Sequence, residues 1–557
     1  MFRIDLSAVA TTLCLSGLMI TGCATREPDA AATDAVAQDV TSPSVAAPAG
    51  QFFGTQANGV RAFRGIRYAE PPVGALRWRP PVAAPDATAA VDARQFGAHC
   101  AQPASPFGVA STSEDCLNLN VYVPAHRQAF GGAPVVVWIH GGALITGESD
   151  DYDPTRLVKQ GDVIVVTINY RLGALGFLAH PALTAESPDA ASGNYGLMDQ
   201  QLALRWVQRN ILAFGGDPSR VTIAGESAGG LSVHAQLANN NKDDLFQGAI
   251  VESGAYQLDV PSLALAENAG VQLAVAAGCT DQSAACLRGL SVAQILASQN
   301  NGLGGATPVV DGLFLKRSIR KAFETGKYVK AAIVEGSNHD EWRLFQAQSI
   351  LLNGPTPAAA YPAVAAALAA STASSGAVVP PIDQILATYP LSAYPSADDA
   401  LAAIGSDAIF TCNARVAAGL LSGNDEIHPH AGTPTWVYEF DDPDAPERFL
   451  PPIPGFPYRA AHASELQYLF DLPTTVPAPA LDADQQHLAK IMTRMWGTFA
   501  HDGHPGLDAP NLRWPFFPVG GEILRAPEPE RDFLVPFQDD HHCALWGEAS
   551  STGHDPI

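Results

Sequence analysis

Hydrophobic residues occur in short continuous runs that alternate with segments of helical spacing from about residue 51 onward. Val135–Ile139 and Val163–Ile168 are apolar and rich in β-branched residues. Such runs are typical of strands buried on both faces of a parallel sheet. Another short strand is predicted at Val221–Gly225. The predicted later strands are Ala249–Glu252, Ala331–Glu335 and Thr435–Phe440.

One helix is predicted at Met198–Phe214, where apolar residues recur at steps of three and four. The members of this stripe are Leu197, Leu204, Val207, Ile211 and Phe214. The sequence Gly215-Gly216-Asp217-Pro218 ends this helix. A second helix is expected from about Ala228. Strands that alternate with helices predict an α/β fold with a central, mostly parallel sheet and helices on both faces.

Composition divides the chain into three parts. Residues 1–23 have the pattern of an export signal, because Arg3 precedes an apolar run, Leu6–Ile20, that is too short to span a bilayer. Residues 24–50 lack apolar periodicity and predict a flexible stalk. Residues 51–557 are expected to form one domain. Within it, the Ala- and Pro-rich stretch at 355–381 is predicted to be a surface insertion, in which Val364–Leu368 is compatible with a helix.

Charge and hydropathy exclude two classes of protein. The 557 residues are 47% hydrophobic and 16% charged, with a net charge of −24. Nucleic-acid binding needs a clustered positive surface, so this acidic chain is not expected to bind nucleic acid. No uncharged apolar run of about 18 residues follows the first 25 residues, which excludes a protein with several membrane spans. A large acidic globular protein remains.

The end of the export signal suggests a lipid anchor. Ile20-Thr21-Gly22-Cys23 resembles the bacterial lipoprotein signal, in which Cys23 would be lipidated and become the first mature residue. The alternative is an ordinary cleaved secretory signal. The chain is therefore predicted to be exported, either as a periplasmic or outer-membrane lipoprotein held in the membrane through lipid on Cys23, or as a secreted protein.

Cysteine usage agrees with export. Six cysteines lie beyond the signal, and an exported chain meets an oxidising compartment. Fifteen pairings are possible. Short loops favour Cys100–Cys116 and Cys279–Cys286, which leaves Cys412–Cys543. The chain has no C-x-x-C pair, so no metal site is expected from its cysteines.

The segment Gly225-Glu226-Ser227-Ala228-Gly229 fits the pattern G-x-S-x-G between a predicted strand and a predicted helix. A sharp strand-to-helix turn would hold Ser227 in strained backbone and expose its hydroxyl as a nucleophile. Glycine on both sides avoids the collisions that Cβ atoms would cause. Ser227 could alternatively serve only as a helix N-cap.

A glycine-rich turn, His140-Gly141-Gly142-Ala143, follows directly on the strand ending at Ile139. Such a turn can direct backbone N–H groups toward a developing oxyanion. We expect the donors to be Gly142 and Ala143, with the N–H of Ala228 as the next, and Gly141 to form the turn. His140 is expected to be structural.

These residues belong to a wider resemblance. From about Phe63 to Trp546 the chain resembles the type-B carboxylesterases, the group that includes bacterial para-nitrobenzyl esterases and cholinesterases. The segments that carry the resemblance are 63–72 (FRGIRYAEPP), 113–122 (SEDCLNLNVY), 169–171 (NYR) and 225–230 (GESAGG). The resemblance implies an α/β-hydrolase fold with inserted loops and helices around a gorge, the same three disulfides, ester hydrolysis, and no cofactor or metal.

The resemblance also implies the catalytic acid and base. The order in α/β hydrolases is serine, acid, histidine. Gly336–Glu341 resembles the segment that carries the acid, which favours Glu341 over its neighbour Asp340, although Trp342 stands where many relatives have glycine. His462–Phe470 resembles the segment that carries the base, His462.

Two further residues, Glu226 and Ser253, resemble family residues that orient water and the triad.

Adjacent histidines in a strand point to opposite faces. For this reason, and because no nearby ligand pair completes a site, His541 and His542 are not expected to bind metal.

The expected substrate is a small carboxylic ester of unidentified structure. Cholinesterases hold a quaternary ammonium group with a Trp in the first disulfide loop. Here residues 101–115 contain Phe107 and no Trp, so choline esters are not expected. The alternatives are a non-catalytic adhesion or binding protein on the same fold, or a related amidase or lactonase. The sequence leaves the oligomeric state open.

Overall fold

The structure is a computed structural model. It describes residues 42–126, 132–240, 243–299, 306–372, 379–423, 430–509, 512–517, 521–526, 530–531, 537 and 539–547. The predicted signal at 1–23, including Cys23, and the predicted stalk up to residue 41 lie outside the described residues.

The structure describes sixteen strands, and eleven of them form one large sheet. The strands are β1 Ser44–Ala47, β2 Gly50–Phe53, β3 Thr55–Ala57, β4 Val60–Arg67, β5 Val91–Asp92, β6 Asn118–Pro124, β7 Ala133–Ile139, β8 Ile164–Ile168, β9 Gly216–Glu226, β10 Gly248–Glu252, β11 Ala332–Asn338, β12 Thr435–Phe440, β13 Leu507–Ala509, β14 Leu512–Arg513, β15 Glu522–Leu524 and β16 Glu530–Arg531. The large sheet has the order β16-β15-β12-β11-β10-β9-β7-β8-β6-β4-β3. Neighbours from β15 to β8 are parallel, and the strands at both edges pair antiparallel.

Helices cover both faces of this sheet. They are α1 Thr155–Gly161, α2 Gly173–Phe177, α3 Pro181–Glu186, α4 Tyr195–Asn210, α5 Ala228–Asn239, α6 Leu263–Ala276, α7 Ala284–Gly289, α8 Val292–Ser298, α9 Ile319–Glu324, α10 Arg343–Asn353, α11 Tyr361–Thr372, α12 Ile382–Thr388, α13 Ala397–Gly405, α14 Cys412–Ser422, α15 Leu466–Leu469, α16 Ala483–Asp502 and α17 Cys543–Gly547. A π-helix, Ser406–Thr411, joins α13 to α14.

Strand β7 explains why the sheet is covered on both faces. Val135 and Val137 belong to a hydrophobic cluster with residues of α4 and α5. Val136 and Trp138 belong to a second cluster with residues of α1 and α16. Successive side chains of a strand point to opposite faces, so a continuously apolar strand needs a helical layer on each side. The predicted α/β architecture, a central, mostly parallel sheet with helices on both faces, is confirmed.

Helix α4 begins three residues before its predicted start and ends at Asn210, and a 3-10 turn at Ile211–Phe214 continues it. The predicted apolar stripe is buried in the first cluster. Gly215 follows with φ of 90°, a left-handed conformation that glycine adopts without a steric penalty. The glycine pair therefore ends the helix as the sequence predicts.

Two segments differ from expectation. The end of the predicted stalk, Ser44–Ala47, is a strand paired antiparallel with β2, in which Val45 is buried opposite Phe52. The predicted surface insertion contains α11, whose Tyr361, Ala365 and Ala369 recur at four-residue spacing and are buried in a third cluster. Alanines at this spacing allow close packing of a helix, and Val364–Leu368, the part compatible with a helix, lies within α11. Residues 373–378 lie outside the described residues.

The described residues contain three disulfides: Cys100–Cys116, Cys279–Cys286 and Cys412–Cys543. They are the three pairs that loop length and the resemblance favoured. The last pair connects α14 with α17. Among the described helices, none combines the length and apolarity needed to cross a bilayer.

Candidate active site

Ser227 lies in a strained turn between β9 and α5. Its φ of 55° and ψ of −121° are unusual for a residue with a side chain. Gly229 permits this turn, since a Cβ atom there would lie 2.0 Å from the carbonyl oxygen of Ile139. Ser227 is partly exposed, whereas Glu226 and Ala228 on either side of it are buried. The turn therefore presents the serine hydroxyl at the carboxyl end of the sheet.

The loop after β7 offers backbone donors beside this turn. Gly142 and Ala143 have φ of 95° and 55°, and both are at least partly exposed. The described residues provide no acceptor for the N–H groups of Gly142, Ala143 or Ala228. Gly141 faces the turn, because a Cβ atom there would lie 3.2 Å from Ser227 Cβ. Unpaired donors converging beside a serine are suited to binding an oxyanion.

His140, the first residue of this loop, is held in place by contacts with Tyr170. Its ring stacks on Tyr170 with the centroids 4.4 Å apart, and the Tyr170 hydroxyl donates to the carbonyl oxygen of His140 over 2.8 Å. Burial lowers the pKa of His140 to about 4, so the imidazole is neutral. His140 is 1% exposed and packs as an interior residue, in agreement with the structural role expected for it.

Glu341 lies in the short segment that joins β11 to α10, and it is fully buried. Its Oε1 accepts hydrogen bonds from Ser253 Oγ at 2.5 Å and from the backbone N–H of Asn338 at 2.8 Å. Its Oε2 lies 2.5 Å from Nδ1 of His462. Donors on one oxygen and an imidazole on the other fix the carboxylate in the orientation expected of a catalytic acid.

The neighbouring carboxylate points elsewhere. Asp340 Oδ2 lies 3.1 Å from Nδ1 of His339, and its Oδ1 lies 3.8 Å from Arg459. Of the two candidate acids, Glu341 is therefore the one in contact with His462. Trp342, the departure from the family pattern, fits because its indole packs over Gly405, where a Cβ atom would lie 2.1 Å from the ring.

The second nitrogen of His462 faces Glu226. His462 Nε2 lies 3.1 Å from Glu226 Oε1. The hydrogen bonds of the described residues do not include one between Ser227 Oγ and this nitrogen. Glu226 Oε2 and Ser227 Cβ both lie within 3.2 Å of the position that a Cβ atom of Gly141 would take. The carboxylate and the serine side chain thus leave the turn on the same side, next to the imidazole.

Two carboxylates control the charge of this imidazole. Burial lowers the pKa of His462, but the charges of Glu226 and Glu341 and the hydrogen bond to Glu341 outweigh burial, so the pKa is raised above its usual value. Burial raises the pKa of Glu226 to about 7, although His462 counteracts it. Groups this close titrate as a pair.

Further buried acids lie behind Glu226. The backbone carbonyl of Glu252 accepts the N–H of Ser227 at 2.8 Å, and its side chain accepts from Trp496 at 2.7 Å. Glu465 accepts from Asn338 Nδ2 at 2.5 Å. Burial raises the pKa of Glu252 to about 8 and that of Glu465 well above its usual value. Glu252 is the last residue of the apolar strand β10, and this position in the sequence indicates a buried carboxylate.

Aromatic side chains pack against the buried ring of His462. Phe345, from α10, and Phe410, from the π-helix, have ring centroids 5.1 and 4.9 Å from the imidazole, and they stack on each other at 5.8 Å. Tyr256 lies 5.5 Å from Phe410. No local sequence pattern marks these three residues, because they come from three separate segments of helical or irregular structure.

The chain is similar to known esterases over most of its length. The sequence profile described as "Carboxylesterase family" matches residues 41–525. The fumonisin B1 esterase of Sphingopyxis macrogoltabida is 34% identical, over 84% of this chain and 83% of its own length. The para-nitrobenzyl esterase of Bacillus subtilis (strain 168) is 33% identical, over 84% of this chain and 91% of its own. A solved PNB esterase structure covers 90% of this chain and 100% of that chain, with a TM-score of 0.72 and 29% identity.

Proposed function

The chain belongs to the carboxylesterase family and is a carboxylic ester hydrolase, and on this premise we propose that it acts through an acyl-enzyme intermediate on Ser227. The observation that carries the proposal is the contact of 2.5 Å between Glu341 and His462 beside the strained Ser227 turn. We assign the nucleophile to Ser227, the base to His462 and the orienting acid to Glu341.

Acylation begins when Ser227 Oγ attacks the ester carbonyl carbon and its proton passes to Nε2 of His462. In the resting site, Nε2 of His462 faces Glu226, so the serine hydroxyl first turns toward this nitrogen. Catalytic hydrogen bonds of this kind commonly tighten only when substrate binds. Glu341 accepts from Nδ1 and stabilises the imidazolium. The N–H groups of Gly142, Ala143 and Ala228 stabilise the oxyanion.

The tetrahedral intermediate then collapses, and the imidazolium returns its proton to the leaving alkoxide. Water repeats the sequence on the acyl-enzyme, with His462 as base, and releases the carboxylic acid. We assign Ser253 to holding Glu341 in place and Glu226 to holding the imidazole ring and setting its pKa, as the contacts of 2.5 and 3.1 Å support.

We propose an ester whose group beside the carbonyl is apolar. The ring faces of Phe345 and Phe410 and the nearby Tyr256 form the wall next to His462, and aromatic side chains gain free energy by covering apolar surface. Glu226 on the opposite side disfavours a substrate carboxylate at the reacting centre, because like charges repel at short range.

Covalent labelling tests the nucleophile. The full chain is treated with an organophosphate and digested, and the modified residue is located by mass spectrometry. We expect one label, on Ser227, with loss of esterase activity, and neither label nor activity in Ser227→Ala. Heat-denatured protein is the control and should remain unlabelled. A label on another residue of the active native enzyme would contradict the assignment.

A substrate panel tests the substrate class. Matched esters, amides and lactones with the same acyl chain separate an esterase from an amidase or a lactonase. Within the esters, an uncharged acyl chain is compared with one of equal length that ends in a carboxylate. We expect the highest kcat/KM for the uncharged ester. A preference for the charged ester would contradict the proposed apolar wall.

We also keep export and lipidation at Cys23 as a proposal. Three disulfides suit an oxidising compartment and support export. Growth of the producing bacterium with a labelled fatty acid should label the protein, and Cys23→Ser should abolish that label. A mature protein that begins elsewhere and carries no lipid would favour a cleaved secretory signal.

A further inference from the structure

Two histidines and a glutamate converge at the carboxyl ends of β11 and β12, outside the catalytic residues. His339 directly follows β11, and its backbone N–H donates to the carbonyl oxygen of Phe440 over 2.9 Å. Glu439 belongs to β12, and His541 lies in the turn before α17. One candidate ligand atom from each of His339, Glu439 and His541 lies within 4.8 Å of the other two.

Each imidazole has one nitrogen held by a carboxylate. His541 Nδ1 lies 2.7 Å from Asp407 Oδ1, which leaves Nε2 facing Glu439 at 2.5 Å. His339 Nδ1 lies 3.1 Å from Asp340 Oδ2, which leaves its Nε2 available. Histidines that bind metals in proteins have this arrangement, because the carboxylate on the outer nitrogen fixes the ring and raises its basicity.

Further hydrogen bonds hold Asp407, the carboxylate behind His541, in place. Asp407 accepts a hydrogen bond of 2.7 Å from the Tyr389 hydroxyl, and that hydroxyl accepts one of 2.7 Å from Trp546 Nε1. The side chains of Glu439 and His541 are 5% and 3% exposed, whereas that of His339 is 33% exposed. The cluster therefore has rigid, buried ligands on one side and an opening to solvent at His339.

We propose that His339, Glu439 and His541 form a binding site for a divalent transition metal, with Zn²⁺ as the preferred ion. Two imidazoles and one carboxylate are a donor set that zinc uses in proteins, with a water in the fourth position. Ligand atoms in a tetrahedral zinc site lie about 3.4 Å apart. The observed limit of 4.8 Å requires closure around the ion, and the 2.5 Å contact of Glu439 with His541 opens to admit it.

The sequence predicts no metal at His541 and His542, because adjacent histidines in a strand point to opposite faces and no nearby ligand pair completes a site. In the structure, His541 lies in a turn. His542 plays no part in the proposed site, and the partners of His541 come from residues about 100 and 200 positions earlier in the chain. Zinc at this position would tie the segment after β11, which also carries Glu341, to the C-terminal segment that Cys412–Cys543 holds. An ion there would hold these two segments together, and none of its three ligands is among the described contacts of His462.

Zinc binding to the untagged full-length chain tests the proposal. The protein is treated with a chelator, dialysed and titrated with ZnCl₂ alone by calorimetry, and bound metal is counted by mass spectrometry. We expect one Zn²⁺ per chain. Co²⁺ in the same site should show the visible absorption bands of four-coordinate cobalt with nitrogen and oxygen ligands.

Variants locate the ion. His339→Gln and His541→Gln should each remove stoichiometric binding, and Asp407→Asn should weaken it about 10- to 100-fold by loosening the ring of His541. His542→Gln is the matched control and should bind as the parent does. If His541→Gln fails to fold, the variant of the more exposed His339 still decides the outcome. No stoichiometric binding, or equal binding in His339→Gln and the parent, would overturn the proposal.

Discussion

Replacing Glu226 by glutamine should move the pH dependence of the enzyme. His462 must be neutral to accept the proton of Ser227, so activity is lost as the pH falls through the pKa of His462. The charges of Glu226 and Glu341 raise that pKa above its usual value. Glu226→Gln removes one of these charges while keeping the side-chain shape, so the acidic limb of the pH profile should shift to lower pH.

The structure sets the size of this shift. Glu226 Oε1 lies 3.1 Å from His462 Nε2. Two full charges at that distance interact by about 1.3 kcal/mol even at the dielectric constant of bulk water, and by about 5 kcal/mol at an effective value of about 20. One pH unit corresponds to about 1.4 kcal/mol, so the smaller energy corresponds to a shift of about one unit. Burial raises the pKa of Glu226 to about 7, so its charge is incomplete at acid pH and the smaller estimate applies.

The assay is kcat/KM for a chromogenic para-nitrophenyl ester, measured from about pH 5 to 9, because this ratio reports groups of the free enzyme. Glu252→Gln is the matched control: it also removes a buried carboxylate, but Glu252 bonds to Trp496 and does not contact His462. An unmoved acidic limb in Glu226→Gln would refute the reasoning. Equal shifts in the two variants would also refute it, since the field at His462 would then be diffuse.

Two further substitutions test the acid and the turn. Glu341→Gln should lower kcat/KM by about 10³- to 10⁴-fold, because it disrupts the orientation of the imidazole. Asp340→Asn should leave kcat/KM within about tenfold of the parent value. The reverse ranking in the same esterase assay would assign the catalytic acid to Asp340. Gly229→Ala should cost about 3 kcal/mol of unfolding free energy or prevent folding, because its Cβ would lie 2.0 Å from the oxygen of Ile139. Gly289→Ala, which meets no atom within 4 Å, is the control in denaturant unfolding, and equal losses in the two variants would contradict the steric argument.

Features encoded by near neighbours in the chain were predictable. The strand Thr435–Phe440 has its predicted bounds, because a short run rich in β-branched and aromatic residues favours an extended segment. The turn at Ser227 was predictable from two flanking glycines, because steric limits on a tight turn act within a few residues. Helix ends shifted by several residues, since the packing of the last turn decides where a helix stops.

The partners of the key side chains were decided only by the tertiary structure. The family resemblance favoured Glu341 over Asp340, but the contact of Glu341 with His462 depends on how two segments more than 100 residues apart pack at the end of the sheet. The contact of Glu226 with Nε2 of His462 and the contact of Phe410 with the imidazole ring also depend on this long-range packing. Local periodicity and turn chemistry determined the elements and the nucleophile of this protein. The side-chain pairs that set charge and orientation depend on long-range packing, which no short stretch of sequence contains.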